Sequence, residues 1–417
     1  MRRLPVLIAG AIACACSSAA QAGIVFTPHV DEYSRLPSGQ YTEFTFIGTE
    51  IEHIYDRNGR KIQLGEPFVP PGDSTDAALA LIKYLWVGNI FRDSDVPFLN
   101  THPQFCRAIG TAGYQQNTGA IAARARLFGE RPGANGVGDL YGLCGIYGDN
   151  YRFGPLQFNG LFGTTVKFPV GEYDTDAALN IGTHYWSVIP QLAFHSELYG
   201  RLFTDASASY QWNGTNDSPS FGGLTPTRPA PWWTGEINFA WKFTEHWYTD
   251  IGLSHRASIG PNHFDKVTIN FKDQPLSPDS ACATTNAGTG PTLGLLGLDP
   301  LLNPQLCDNP LLQQFYLKPQ SRDYEDRGIR GTMVTAGVTY IYRTSSVLQA
   351  RVAMPIQGRG SQIDTVFDVC AQACTDGNGD GKADNSISTV TTTLFGVQEA
   401  AAVSASPYLE LRYVYLF

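Results

Sequence analysis

The sequence predicts an all-β protein: one transmembrane antiparallel β-barrel of about 12 strands, within a range of 10–14. Three observations point there. The chain opens with an export leader. Its apolar residues recur at every second position in segments of membrane-spanning length. The connections between those segments alternate between short and long.

The leader comes first. Met1, Arg2 and Arg3 form a short basic region, LPVLIAGAIACA is an apolar run, and Ala20-Gln21-Ala22 is an A-x-A cleavage site before Gly23. Residues 1–22 are therefore read as a signal peptide and 23–417 as a single barrel domain in the bacterial outer membrane. Acylation at Cys14 or Cys16 would need a Leu three positions upstream, which neither has. After the leader no stretch reaches the roughly 18 apolar residues of a membrane helix. The richest, residues 77–91, is interrupted by Lys83. Only helices and closed barrels satisfy their backbone groups in lipid, so a membrane reading means a barrel.

Composition agrees. Charged residues make up 16% of the chain, against a usual ~25%, while 43 glycines and 12% aromatics suit a β-rich chain with a lipid-facing wall. The net charge of −9 argues against nucleic acid as a partner. Six cysteines follow the leader: Cys106, Cys144, Cys282, Cys307, Cys370 and Cys374. In an exported chain these suggest disulfides, with neighbour pairing the simplest expectation, and no CxxC marks a zinc or redox site.

Taken in order, the front of the chain offers candidate strands at 41–55, 78–91 (with a helix as the alternative), 118–128, 139–149 and 156–168. In 118–128, Ile121, Ala123, Ala125 and Leu127 alternate with Arg124 and Arg126. The clearer strands come in pairs. Trp186, Val188, Leu192 and Phe194 share one face of the first, and Leu202, Ala206, Ala208, Tyr210 and Trp212 share one face of its partner. Trp233, Ile237, Phe239, Trp241 and Phe243 alternate with Glu236, Asn238 and Lys242, and a turn at 244–246 leads to Trp247, Thr249, Ile251 and Leu253. Val334, Val338, Tyr340 and Tyr342 then turn at 344–346 into Leu348, Val352, Met354 and Ile356.

With the C-terminus placed in the periplasm, the short turns near 195–200, 244–246 and 344–346 fall inside. The long segments 213–232, 258–331 and 357–407 fall outside. Short periplasmic turns and long external loops are the habit of outer-membrane barrels. Trp186, Trp212, Trp232 and Trp233 lie at outer strand ends, and Trp241, Trp247, Tyr342 and Tyr415 at inner ends, as two aromatic girdles would.

The last strand ends in SPYLELRYVYLF. Leu409, Leu411, Tyr413, Tyr415 and Phe417 lie on one face and Glu410 and Arg412 on the other. This tail resembles the C-terminal signature that barrel-assembly machinery recognises, which implies that machinery and the outer-membrane lipid as partners.

Three stretches carry a wider resemblance: EHIYDRNGRKI (52–62), GVGDLY (136–141) and TTVKFPVGEYDTDAALNIGTHYWSVIPQLAF (164–194). They resemble the outer-membrane family named for the meta-pathway of phenol degradation, which is transporter-like and near the uptake channels for fatty acids and aromatic compounds. The resemblance implies passive uptake of small hydrophobic, including aromatic, solutes. A general porin for polar solutes and a structural or adhesive barrel with binding loops are the alternatives. The inserts 261–328 and 358–388 match nothing in the family.

Residues with chemistry fall into three groups. The inward positions Arg124, Arg126, Lys167, Arg201, Asp205, Glu236, Lys242, Asp250, Arg256, Arg351, Glu410 and Arg412 are candidates for lining a substrate path, or for an internal ladder of ion pairs. Asp376, Asn378, Asp380 and Asp384 stand at positions 1, 3, 5 and 9 of an EF-hand-like loop. Gly381 holds position 6 and the Lys382 carbonyl position 7, but Ile387 replaces the bidentate Glu, so any Ca2+ site is weak. The Leu-rich 293–306 is either a small loop core or an apolar surface at the mouth. No enzyme is expected. His195 and Ser196 are adjacent and point to opposite sides of a strand, and no nucleophile-elbow, zinc-protease or phosphate-loop motif is present.

Overall fold

The computed structural model describes residues 33–56, 58–63, 74–118, 131, 133–175, 180–219, 226–264, 316–320, 324–343, 346–370, 375–396 and 404–416. The leader, Arg124, Arg126, Cys282, Cys307, Cys374, Phe417 and the Leu-rich 293–306 lie outside them.

Twelve strands close a barrel: β1 Gly39–Ile51, β2 Thr75–Gly88, β3 Gln104–Asn117, β4 Leu140–Tyr147, β5 Leu156–Phe168, β6 Ser187–Leu198, β7 Leu202–Asn213, β8 Trp232–Lys242, β9 Trp247–Ser258, β10 Arg330–Arg343, β11 Ser346–Arg359 and β12 Tyr408–Leu416. Consecutive strands pair antiparallel all the way round. β1 pairs β12 from Tyr41↔Leu416 to Gly48↔Leu409, so the sheet has no free edge. Among the described residues no helix is long and apolar enough to cross a membrane; the crossing is made by strands.

Side-chain alternation does the rest. On β12, Leu409, Leu411, Tyr413 and Tyr415 are exposed on the outer wall, whereas Glu410 is buried inside. The same split runs through β9, where Ile251 and Leu253 face out and Asp250 and Ser254 face in. An isolated soluble sheet would not expose this many large apolar side chains. Here they form the lipid-facing band.

In the front half, the strand reading of 78–91 holds over its described strand, 75–88, and its helical alternative does not. The candidate strand 118–128 lies beyond residue 118 outside the described residues, and the third barrel strand is 104–117, which the sequence reading did not include. Its outer face carries Ala108, Gly110 and Ala112 opposite Tyr84, Ile82 and Ala80, so the large neighbours on β2 supply the apolar surface that β3 itself lacks. An apolar pattern made of Gly and Ala does not register as alternation.

Segments 199–201, 243–246 and 344–345 join strands at one end of the barrel. The long segments 169–186, 214–231, 259–329 and 360–407 all leave from the other. Trp233 is exposed on the outer wall, but Trp232 turns inward and is buried, so only one of that pair belongs to the girdle. Cys106 and Cys144 are direct cross-strand partners on β3 and β4 and form the expected disulfide. Cys370 is also disulfide-bonded. At the long-loop end β11 runs on into a three-stranded sheet of Tyr316–Pro319, Ser361–Cys370 and Ser386–Gly396.

Candidate functional site

The site is the barrel lumen and the long-loop mouth above it. Inward parity places polar residues of neighbouring strands side by side, and they neutralise one another. Asp250 on β9 is bound by Arg351 on β11 through Nε at 2.9 Å and Nη2 at 2.7 Å, with both side chains fully buried. Gln349 adds a third donor to Asp250 at 3.1 Å. The contact passes across β10 because residue 337 is Gly: a Cβ there would lie 2.4 Å from Arg351 Cγ and 2.9 Å from Asp250 Oδ2. One row away, Glu43 on β1 holds Lys83 at 2.6 Å and Arg412 at 2.9 Å. Glu410 is buried directly opposite Arg351 in register. These charges form a ladder of ion pairs along one wall. Arg256 lies 4.1 Å from the ring of the buried Trp232 and donates to Gln211 at 3.2 Å.

A second cluster sits on the wall of β5–β8 and holds a guest. Tyr33, which precedes β1, lies inside the lumen. Its N–H donates to Asp205 at 3.2 Å, its hydroxyl to Glu236 at 3.1 Å, and its carbonyl accepts from Asn159 at 3.1 Å. Gln191 donates to the same hydroxyl at 2.9 Å, and His195 Nδ1 meets Asp205 at 2.9 Å. Around it Tyr41, Leu85, Val87, Phe105, Leu143, Tyr147 and Leu161 form an apolar cluster, with Leu36 packed against them. The described segment that begins at Tyr33 thus occupies the short-turn half of the lumen. Nothing in its sequence announced this, because Tyr33 stands in no alternating run. A second apolar cluster, built on Ile47, Leu79, Leu81, Met333, Ala353 and Tyr408, occupies the same wall as the ion ladder, nearer the long-loop end.

The stretches that looked like family motifs converge at the mouth. Asp139 of GVGDLY is fully buried. It accepts from Gly171 N at 3.2 Å, Thr183 N at 3.1 Å and Thr183 Oγ1 at 2.6 Å, and Lys167 lies 3.8 Å away. Lys167 also stacks 3.7 Å from the Tyr185 ring. A Cβ at Gly171 would come within 2.8 Å of Asp139 N, so the P-x-G spacing serves this close approach. Beside this node a cavity of about 750 Å³ is lined by Tyr114, Arg131, Glu172, Tyr173 and His184 among others. The Tyr173 and His184 rings stack at 4.8 Å. The first motif makes a hairpin, His53–Tyr55 against Lys61–Gln63, that folds onto Gly358 of β11, where Tyr55 leaves no room for a Cβ. Burial pushes the Asp56 carboxyl up, but the Asn58 and Arg60 amides and the Arg60 guanidinium outweigh it and hold it below its ordinary value.

Of the predicted path residues, Lys167, Asp205, Glu236, Asp250, Arg256, Arg351, Glu410 and Arg412 face the lumen. Lys242 sits at the short-turn rim beside Tyr248, 5.5 Å from its ring. Arg201 is an exception: it belongs to the exposed turn before β7, where the chain reverses and alternation no longer applies. Glu43 and Lys83 were not among the predicted path residues, although each is the one charge at the inward positions of its strand.

In the 376–384 loop, Asp376 Oδ2 accepts from Gly381 N at 3.1 Å and Asp384 Oδ2 from Gly377 N at 2.7 Å. Asn378 accepts from Asp380 N and Asp380 from Lys382 N, each at 2.9 Å. Gly379 and Gly381 take positive φ, as the tight turn requires. Among the described residues no group of three or more His, Cys, Asp or Glu side chains is arranged to hold a metal.

Residues 69–274 match the model of the family described as "Putative MetA-pathway of phenol degradation". Among solved structures the chain is similar to an outer membrane channel from Pseudomonas putida F1. That match has 14% identity and a TM-score of 0.54, over 93% of this chain and 98% of that one. Outer membrane phospholipase A from Escherichia coli matches at 6% identity and TM-score 0.32, over 90% and 92% of the two chains. A Pseudomonas aeruginosa FadL homologue matches at 9% and 0.33, over 94% and 95%. The first shares the fold; the other two are too distant to carry an argument. No curated protein matches by sequence.

Proposed function

We propose that this chain, whose residues 69–274 match the family described by that pathway and which folds as a barrel of the bacterial outer membrane, admits small hydrophobic solutes, aromatic compounds among them, by passive passage. The observation that carries the reading is the apolar cluster around Tyr33, Tyr41, Leu85, Phe105 and Leu143 inside the lumen. A polar-solute porin needs a wet, charged constriction. Here Asp250, Glu43 and Asp139 already have cationic partners and Tyr33 fills the short-turn half. The Pseudomonas putida F1 structure that shares the fold is described as an outer membrane channel, which supports this reading, and no catalytic role is proposed.

The test uses proteoliposomes of the full chain. Entry of a neutral monoaromatic compound is expected to exceed that of a monosaccharide of similar mass by about ten-fold or more. Swelling with sugars and no aromatic entry would favour the porin, and a barrel closed to both would favour a structural role.

The 376–384 loop is proposed to take Ca2+ weakly. Asp376 and Asp384 already turn inward onto the amides of Gly381 and Gly377, and Asn378, Asp380 and the Lys382 carbonyl complete an oxygen-rich turn. Without a position-12 carboxylate the affinity expected is ~10⁻⁴–10⁻³ M. Calcium at millimolar levels should slow protease cleavage between residues 375 and 390 in the wild type and not in Asp376→Ala/Asp380→Ala. Equal cleavage with calcium and with chelator would make the loop a solvated turn.

A further inference from the structure

At the long-loop edge of the outer wall the strand registers bring unlike residues into one row. Tyr210 of β7 pairs with Trp233 of β8, Trp233 with Ala257 of β9, Ala257 with Arg330 of β10, and Arg330 with Arg359 of β11. All five stand on the outward face. Below them on the same face come the exposed lipid-band residues Leu253 and Ile251 of β9, Val338 of β10, and Ile356, Met354 and Val352 of β11. Arg330 is four residues beyond Val334, about 13 Å along the strand and roughly 10 Å after a ~40° tilt. That carries Arg330 from the lipid band toward the polar headgroup layer, which adds about 5–8 Å to each side of the hydrocarbon core.

Two arginines directly opposite each other repel. Among the described residues no carboxylate lies within ion-pair distance of Arg327, Arg330 or Arg359. Asp326 attracts Arg359 only at longer range. It is buried and accepts from Asn262 N at 2.9 Å, Asn262 Nδ2 at 2.7 Å and Gly328 N. Arg359 is fixed in place, donating from Nε to Gly328 O at 3.1 Å and from Nη2 to Arg327 O at 2.7 Å. Arg327, which precedes Gly328 in the chain, is itself exposed. The result is a held guanidinium, a second one across the ladder, and Trp233 and Tyr210 in the same row.

We propose that Arg330 and Arg359 bind a phosphate of the phosphorylated lipid in the leaflet at the long-loop end. A phosphate accepts from guanidinium groups in charge-assisted, often bidentate, hydrogen bonds and relieves their mutual repulsion. Basic groups at headgroup depth recognise phosphorylated lipids in this way, and interfacial Trp and Tyr rings hold the acyl–headgroup boundary beside them. The proposal rests on the long-loop end facing outward, where that lipid is lipopolysaccharide.

The test uses the full chain, purified in detergent free of lipopolysaccharide and titrated with diphosphoryl lipid A, dephosphorylated lipid A and inorganic phosphate. Barrel melting is the readout. Diphosphoryl lipid A is expected to bind about ten-fold tighter than the dephosphorylated form. Arg330→Gln and Arg359→Gln, alone and together, are expected to lose that preference, while Arg330→Lys/Arg359→Lys retains part of it. The single variants keep the test decisive if the double variant does not fold. Equal binding of the two lipids by wild type, or an unchanged preference in the Gln variants, would overturn the proposal. Inorganic phosphate binding as tightly as the lipid would assign the site to a solute anion, and would also overturn it. The detergent measurement does not depend on orientation, which an epitope tag near Gly288, labelled on intact cells, tests separately.

Discussion

Arg351→Ala is expected to lower the unfolding free energy of the barrel by about 3–5 kcal/mol, because it leaves the Asp250 carboxylate buried without its cation. Both side chains of the pair are fully inaccessible, and Asp250 takes two of its three side-chain donors from this one guanidinium. Gln349 alone would remain, at 3.1 Å. The cost is that of an orphaned charge, not the net worth of the pair. Replacing both partners, as Asp250→Leu/Arg351→Met, should therefore recover most of the loss. Urea unfolding in detergent, followed by heat-modifiable migration, reads both. Single and double variants that lose equal stability would show that packing, and not charge pairing, holds this wall.

Removing residues 23–36 should have the largest effect on conduction. Tyr33 contacts Asp205, Ser207, Glu236, Gln191 and Asn159, all inward residues of four consecutive strands. With Leu36 it fills the apolar half of the lumen. Without the segment, single-channel conductance in planar bilayers should rise by about an order of magnitude, as side chains give way to water. Tyr33→Ala should give a smaller rise with more frequent openings. Conductance unchanged by the deletion would mean that ions travel another route, and the segment would then only brace the wall.

Much of the barrel was legible because two simple signals coincide in it. Alternation located β6–β12, where large apolar residues such as Trp241, Ile251 and Met354 face outward and single charges such as Asp250 and Arg351 face inward. The order of short and long connections then fixed which strand ends share a rim. β3 was missed because Ala108, Gly110 and Ala112 lean on the larger side chains of β2, so its burial depends on a neighbour and not on its own pattern. The lumen was legible as a set of residues but not as a set of pairs. Asp250–Arg351 and Glu43–Arg412 join positions 101 and 369 residues apart. The mouth is the opposite case. Its motif residues stood out in the sequence, but only the structure shows that Asp139, Lys167, Gly171 and Thr183 meet at one carboxylate.

The seat of Tyr33 also bears on how the molecule is assembled. The inward residues named above that hydrogen-bond to it are 126 to 203 positions further along the chain. During synthesis and export the N-terminal segment therefore emerges long before its partners and has no place to go until β5–β8 stand side by side. Loop-closure entropy makes such distant contacts late ones. The barrel itself is sealed last, when β12 reaches β1, and β1 begins only six residues after Tyr33. The final zipping step thus draws the tether of Tyr33 toward the wall that holds its seat. Filling the lumen and closing the cylinder become coupled events, and a change that loosens Tyr33 should slow the last stage of assembly even where it leaves the finished barrel sound.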